Sequence, residues 1–184
     1  MTKLKIFHRA QIFQNRDGVA AVEFALLFPV VALLTLGIIE LSLIGYDYHR
    51  LGEATRRGAR EAVISPLVPS LAGFSGGSIS CKGASGGGVS CTGAAVSSSA
   101  TMSDILILMQ QVMPDITLEN LEISYEDSGL SPPEAPGIIT LLITVRLVGV
   151  THDYFFLNTI AGFSTSLSFP DFATTILSPK LIGN

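Results

Sequence analysis

One stretch of this chain limits the folds open to it more than any other. Residues 19–46 read VAAVEFALLFPVVALLTLGIIELSLIGY, and the only ionisable groups before Tyr46 are Glu23 and Glu40. A helix needs about 20 apolar residues to cross the hydrocarbon core of a bilayer, so this run spans with length to spare. The alternative, a core helix of a soluble protein, conflicts with a run this long and this apolar. Composition agrees. The 184 residues are 48% hydrophobic and only 14% charged, and the mean hydropathy is +0.52. That is too apolar for an ordinary soluble domain. A net charge of −4 lacks the basic face of a nucleic-acid binder.

Charge gives an orientation. The segment before the run carries Lys3, Lys5, Arg9 and Arg16 against one acid, Asp17. Basic flanks stay in the cytoplasm, so the expected arrangement is N-in with the C-terminal bulk outside. Arg50, Arg56, Arg57 and Arg60 follow the run and weaken this asymmetry; they read as headgroup contacts on a solvated face. The only two cysteines, Cys81 and Cys91, both lie beyond the run. In an exported domain such a pair is most simply a disulfide, with free thiols as the alternative. Zinc would need two more ligands, and the spacing is not that of a redox motif.

The anchor does not have the form of a secretory signal, whose apolar core is short and is followed by a small-residue cleavage site. Its marked junction comes first: Asn15-Arg16-Asp17-Gly18-Val19-Ala20-Ala21-Val22-Glu23-Phe24. A basic leader ends in glycine and the apolar run opens at once. This junction resembles a type IV prepilin processing site, at which a prepilin peptidase cuts after the glycine on the cytoplasmic side. It is similar in particular to the Tad (tight-adherence) branch, whose prepilins carry Glu and then an aromatic at the fifth and sixth mature positions. A cut between Gly18 and Val19 would put Glu23 and Phe24 there; Tyr is more usual than Phe in the major Tad pilins.

The wider block GVAAVEFALLFPVVALLTLGIIELSLIGYDYHRLGEATRRGAREAV is similar to the TadE-like family in three places. These are its AAVEFAL opening with Pro29, its GIIE mid-span, and a close reading Thr55-Arg56-Arg57-Gly58-Ala59-Arg60. The resemblance covers roughly residues 16–63. It implies a minor pilin or pseudopilin of a Tad-type adhesive pilus and its secretion apparatus. The implied partners are the lipid bilayer, other Tad pilins and pseudopilins, the prepilin peptidase and the inner-membrane assembly platform. It further implies that Glu23 neutralises the new N-terminal amine of a neighbouring subunit. A carboxylate near lipid costs several kcal/mol, and an ion pair in low dielectric would set the register between helices. A tolerated interfacial charge is the plainer reading of Glu23, and snorkelling to headgroups is the favoured reading of Glu40.

Pro29 inside the run frees a carbonyl and should bend the rod; a harmless kink is equally compatible. The helix should continue past the membrane through residues 47–64. There Ala54, Gly58 and Ala62 form a small-residue stripe four apart that permits close approach. Residues 19–64 as one helix would be about 69 Å long at about 1.5 Å per residue, and Pro66 and Pro69 should end it.

Beyond the rod, residues 65–100 are rich in Gly and Ser and read as a loop or flexible linker, pinned by the cysteines. Lys82 is followed by Gly83, not Ser or Thr, so no Walker loop is present. Residues 101–113 suggest an amphipathic helix capped by Thr101 or Ser103. Strands are expected at 121–126, at 137–150 with a bend at Gly149, at 165–169 and at 172–177, with a turn over 129–136. The fold class is therefore α+β, with a long N-terminal transmembrane helix running into a small extracytoplasmic domain with a short antiparallel sheet. The division is leader 1–18, rod 19–64, loop 65–100 and α+β domain 101–184.

No catalytic, cofactor or metal motif stands out. His152-Asp153 is the one catalytic-looking pair, with no nucleophile elbow or zinc motif beside it, and it reads as surface or structural. Three functions compete: a processed minor pilin, an uncleaved TadE/TadG-like accessory protein, and an anchored periplasmic enzyme or binding domain.

Overall fold

The computed structural model describes residues 16–72, 74, 76–130, 138–159 and 162–181. Helix α1, Arg16–Ile64, runs 49 residues without interruption and holds Pro29 inside it. Two different surfaces share this one helix. Its lower part is mostly exposed: Val19, Phe24, Leu34 and Ile38 are each more than half accessible. In its upper part Leu51, Ala54, Thr55, Ala59 and Ala62 are buried, at the three- and four-residue spacing that makes one helical face. The helix stops before Pro66, because a residue preceding proline is pushed out of the α region. Its last turn carries no basic residue of its own. Lys180 supplies one, its Nζ donating to the carbonyls of Val63 at 2.6 Å and Ser65 at 2.8 Å. A cation at the carbonyl end of a helix satisfies orphan acceptors and opposes the dipole.

The upper face of α1 lies under a five-stranded antiparallel sheet of order β2-β1-β3-β4-β7. The strands are β1 Ser78–Gly83, β2 Val89–Thr92, β3 Leu121–Asp127, β4 Ile138–Leu147 and β7 Phe172–Leu181. Alternation sends Leu121, Ile123 and Tyr125 of β3 and Leu141, Ile143, Val145 and Leu147 of β4 into the core. Ser80, Glu122, Thr144 and Thr175 lie on the other face; Ser80 Oγ donates to Glu122 at 2.6 Å and the two threonine hydroxyls meet at 2.8 Å. Helix α2, Ser99–Gln110, closes the core with Met102, Ile105 and Met109. Strand β7 runs alongside α1 in the same direction: Phe172 stacks on Tyr48, Thr174 reaches Thr55, and Lys180 reaches Val63. The end of the sheet at Phe172 and Leu147 therefore faces the exposed half of α1.

The structure corrects several expectations. Residues 65–100 are not simply a loop: they contain the β1–β2 hairpin that forms one edge of the sheet. The alternation in SISCKG fits a strand, with Ile79 and Cys81 inward, and the glycines concentrate in the turn, where Gly86 and Gly87 have φ of 84° and 86°. Cys81 pairs directly with Cys91 across this hairpin, and the two are joined by a disulfide. Helix α2 starts earlier than expected, with Ser98 as N-cap. Thr101 is buried, its hydroxyl 2.9 Å from that of Ser98, so neither Thr101 nor Ser103 caps it, and α2 ends at Gln110, short of Met113.

The strand expected at 165–169 is β6, Ser166–Ser168, and it does not join the main sheet. It pairs with β5, Thr151–Asp153, in a separate two-stranded ribbon. Strand β7 extends past 177 to Leu181. The bend at Gly149 is present, with φ of 64°. The leader before Arg16, positions 131–136 of the expected turn and position 137 of the expected strand lie outside the described residues.

Candidate functional site

The residues singled out by the sequence fall into two groups on α1, and the structure treats them differently. Gly18, Val19, Glu23 and Phe24 are all exposed near the start of the helix. Among the described residues, nothing beyond the neighbouring helix backbone lies within 4 Å of where a Cβ on Gly18 would stand. Phe24 stacks on Phe28 one turn away at 5.6 Å. None of the most apolar window of α1 is buried within the chain. A helix so apolar on every side needs lipid or other helices around it.

The second group, Ala54, Gly58 and Ala62, is turned inward. Ala54 and Ala62 are buried. A Cβ on Gly58 would meet Met109 Sδ at 2.6 Å and Val145 Cγ1 at 3.2 Å. The small-residue stripe therefore lets α2 and β4 of the same chain approach α1 closely, and this face is already occupied.

Between the groups lies a feature that the sequence reading undervalued. Glu40, expected to snorkel outward, is fully buried at 0% exposure. Its Oε1 accepts the backbone N–H of Phe155 at 2.6 Å and its Oε2 that of Phe156 at 2.8 Å. A carboxylate receiving two amide donors is a strong, charge-assisted anchor, and it satisfies both backbone groups at the entrance to the short 3-10 turn Leu157–Thr159. Two turns further along, Asp47 Oδ2 lies 2.8 Å from His152 Nδ1, and Asp47 Oδ1 lies 3.6 Å from Arg50.

Chain direction matters here. As residue numbers rise from 152 to 156, the partners on α1 fall from Asp47 to Glu40. The β5–β6 ribbon is thus a finger running back down α1, away from the sheet and toward the exposed half of the helix. His152 sits at its root among Tyr154, Phe155 and Phe169, each ring centroid 6.3–6.4 Å away. The imidazole is buried and its Nε2 has no partner among the described residues. Asp153, the other half of the catalytic-looking pair, is exposed on the ribbon. One signal in the sequence pointed to this arrangement. Glu40 and Asp47 are seven residues apart, hence on one face of a helix, and a lone acid inside an apolar run requires a donor.

Among the described residues no group of three or more His, Cys, Asp or Glu side chains is placed to hold a metal ion. What the arrangement offers is a bare apolar rod with one acid near its open end, and a folded head clamped to the rod's other end. No curated protein and no solved structure matches the chain. Residues 18–60 match the family model described as TadE-like protein; the match opens at the Gly18 junction, takes in Ala54 and Gly58 and ends short of Ala62, so this stretch of the long helix resembles that family, which points to a component associated with the Tad pilus.

Proposed function

We propose that this chain is a minor pilin or pseudopilin of a Tad-type pilus, anchored by α1, cut between Gly18 and Val19, and packed through its exposed rod against other pilin helices. The observation that supports this most is the division of α1. Its upper face is buried by the chain's own head, while among the described residues its lower stretch from Val19 to Ile39 is mostly exposed and carries Glu23 at the fifth position after the junction.

In this reading the leader is cytoplasmic and the head lies outside, which fits the basic residues before Gly18 and the Cys81–Cys91 disulfide. The α-amino group freed at Val19 pairs with Glu23 of an adjacent copy. Pro29 leaves the carbonyl of Ala25 free for neighbouring groups. Partners are the bilayer, other Tad pilins and pseudopilins, the prepilin peptidase and the inner-membrane platform. The activity is assembly, not turnover.

Fractionation tests the role. The tagged full chain should be found in sheared surface fibres of cells that make the pilus, and Glu23→Ala should reduce its share there while its membrane level holds. Retention wholly in the inner membrane, insensitive to Glu23→Ala, would instead support an uncleaved TadE/TadG-like accessory protein.

A further inference from the structure

The finger on Glu40 carries aromatic side chains exposed at the surface. Phe155 is 67% exposed, Phe163 57% and Phe156 40%. An apolar tip of this kind on a separate ribbon calls for a partner, and three observations indicate which one.

The first is height. At about 1.5 Å per residue, Glu40 stands about 31 Å up the helix from Val19, against a hydrocarbon core of about 30 Å. The carboxylate that holds the tip is therefore level with the outer boundary of the core. The second is direction. The finger descends from Asp47 to Glu40, a drop of about 10 Å along the axis, and interfacial apolar groups enter a bilayer by about 5–10 Å. The third is continuity. Ile38, Ile39 and Leu41 on α1 beside Glu40 are exposed, as are Tyr46 and Tyr48 just above it. Tyr46 carries the Arg50 guanidinium over its ring at 5.2 Å. Aromatic and basic side chains at this level are those that settle at the headgroup boundary.

The geometry points to the β5–β6 finger as a second membrane contact, its Phe155, Phe156 and Phe163 rings seated in the outer leaflet at the hydrocarbon–headgroup boundary and held there by Glu40. The occupant of this surface is phospholipid. The ribbon and its described tip carry no Lys or Arg, so binding is apolar and insensitive to anionic headgroups. The arrangement also accounts for the burial of Glu40. The two amide donors and the tip above it shield the carboxylate from lipid, and the head is fixed in height and rotation about the rod by two membrane contacts instead of one. This inference rests on α1 being the membrane anchor.

The chain has no tryptophan, so single tryptophans report cleanly. The full chain is reconstituted at low protein density into phosphatidylcholine vesicles containing acyl-brominated lipid, with separate samples carrying added phosphatidylglycerol. The reporters are Phe155→Trp, Phe163→Trp, Leu34→Trp within the rod, and Leu130→Trp, an exposed position at the opposite end of the sheet. Strong quenching at 34, clear quenching at 155 and 163 that is equal in both lipid mixtures, and none at 130 is the expected result. Adding Glu40→Gln, which places an amide N–H against a backbone N–H, should abolish quenching at 155 and leave that at 34 intact. Quenching at 34 with none at 155 and 163 overturns the finger contact and leaves the anchor standing. Absence of quenching at 34 overturns the anchor, and the finger contact with it. Quenching at 155 that appears only at high protein density, when copies meet, assigns the tip to a neighbouring subunit and also overturns the proposal.

Discussion

The phenol of Tyr125 is fully buried in the core, its oxygen accepting the N–H of Val68 at 3.5 Å. Burial pushes its pKa up to about 12. An unfolded chain releases this proton near pH 10, so between pH 10 and 12 the folded state binds more protons and stability falls as pH rises. Below pH 10 the group contributes no slope. The loss by pH 12 should approach about 2–3 kcal/mol, and Tyr125→Phe should remove it, as read from unfolding midpoints of detergent-solubilised protein against pH. Two glycines give a second test. A Cβ on Gly58 would strike the flexible end of Met109, whereas one on Gly83 would lie 2.1 Å from the backbone oxygen of Leu118. Met109 is flexible but fully buried, and Val145 Cγ1 stands 3.2 Å from the same point; alanine's helix preference of about 1 kcal/mol offsets part of the overpacking, so Gly58→Ala should cost about 1 kcal/mol. Backbone cannot swing, so Gly83→Ala should cost about 3 kcal/mol, as read from thermal unfolding of the detergent-solubilised protein at neutral pH.

At the level of elements, the β1–β2 hairpin edges the sheet and its disulfide closes a short loop. Replacing both Cys81 and Cys91 by alanine should lower stability by about 2–3 kcal/mol, and the denaturant midpoint of the full chain measures it. This hairpin also marks where sequence reasoning stopped short. Strands β3, β4 and β7 were legible because β-branched and alternating residues dominate them. In β1 the same alternation is made of Ser, Ile and Cys, and the surrounding glycines outweighed it. The separate ribbon of β5 and β6 was legible only as strand propensity, because what detaches it from the sheet is Glu40 and Asp47, more than a hundred residues earlier. The inward use of Ala54, Gly58 and Ala62 was legible as close approach but not as to whom, since α2 and β4 supply the partner. Glu40 was misread because its satisfaction comes from backbone amides, which leave no residue-type signature.

Taken whole, the molecule is one helix serving two environments. The head buries one face of the upper half of α1 and completes it by capping its end with Lys180, while the lower stretch from Val19 to Ile39 is apolar and mostly exposed. Such a chain should stay in the membrane pellet after an alkaline carbonate wash and leave it only with detergent. The rod was fully legible in the sequence, since an apolar run of this length has few other fates. The central claim is that this rod is released from its leader between Gly18 and Val19, so that a free amine and Glu23 meet between copies. Mass spectrometry of the N-terminus of the membrane-bound protein, from cells with and without the prepilin peptidase, tests it most directly. A chain beginning at Val19 with the peptidase and retaining its leader without it is the predicted result; an intact leader in both would contradict the account.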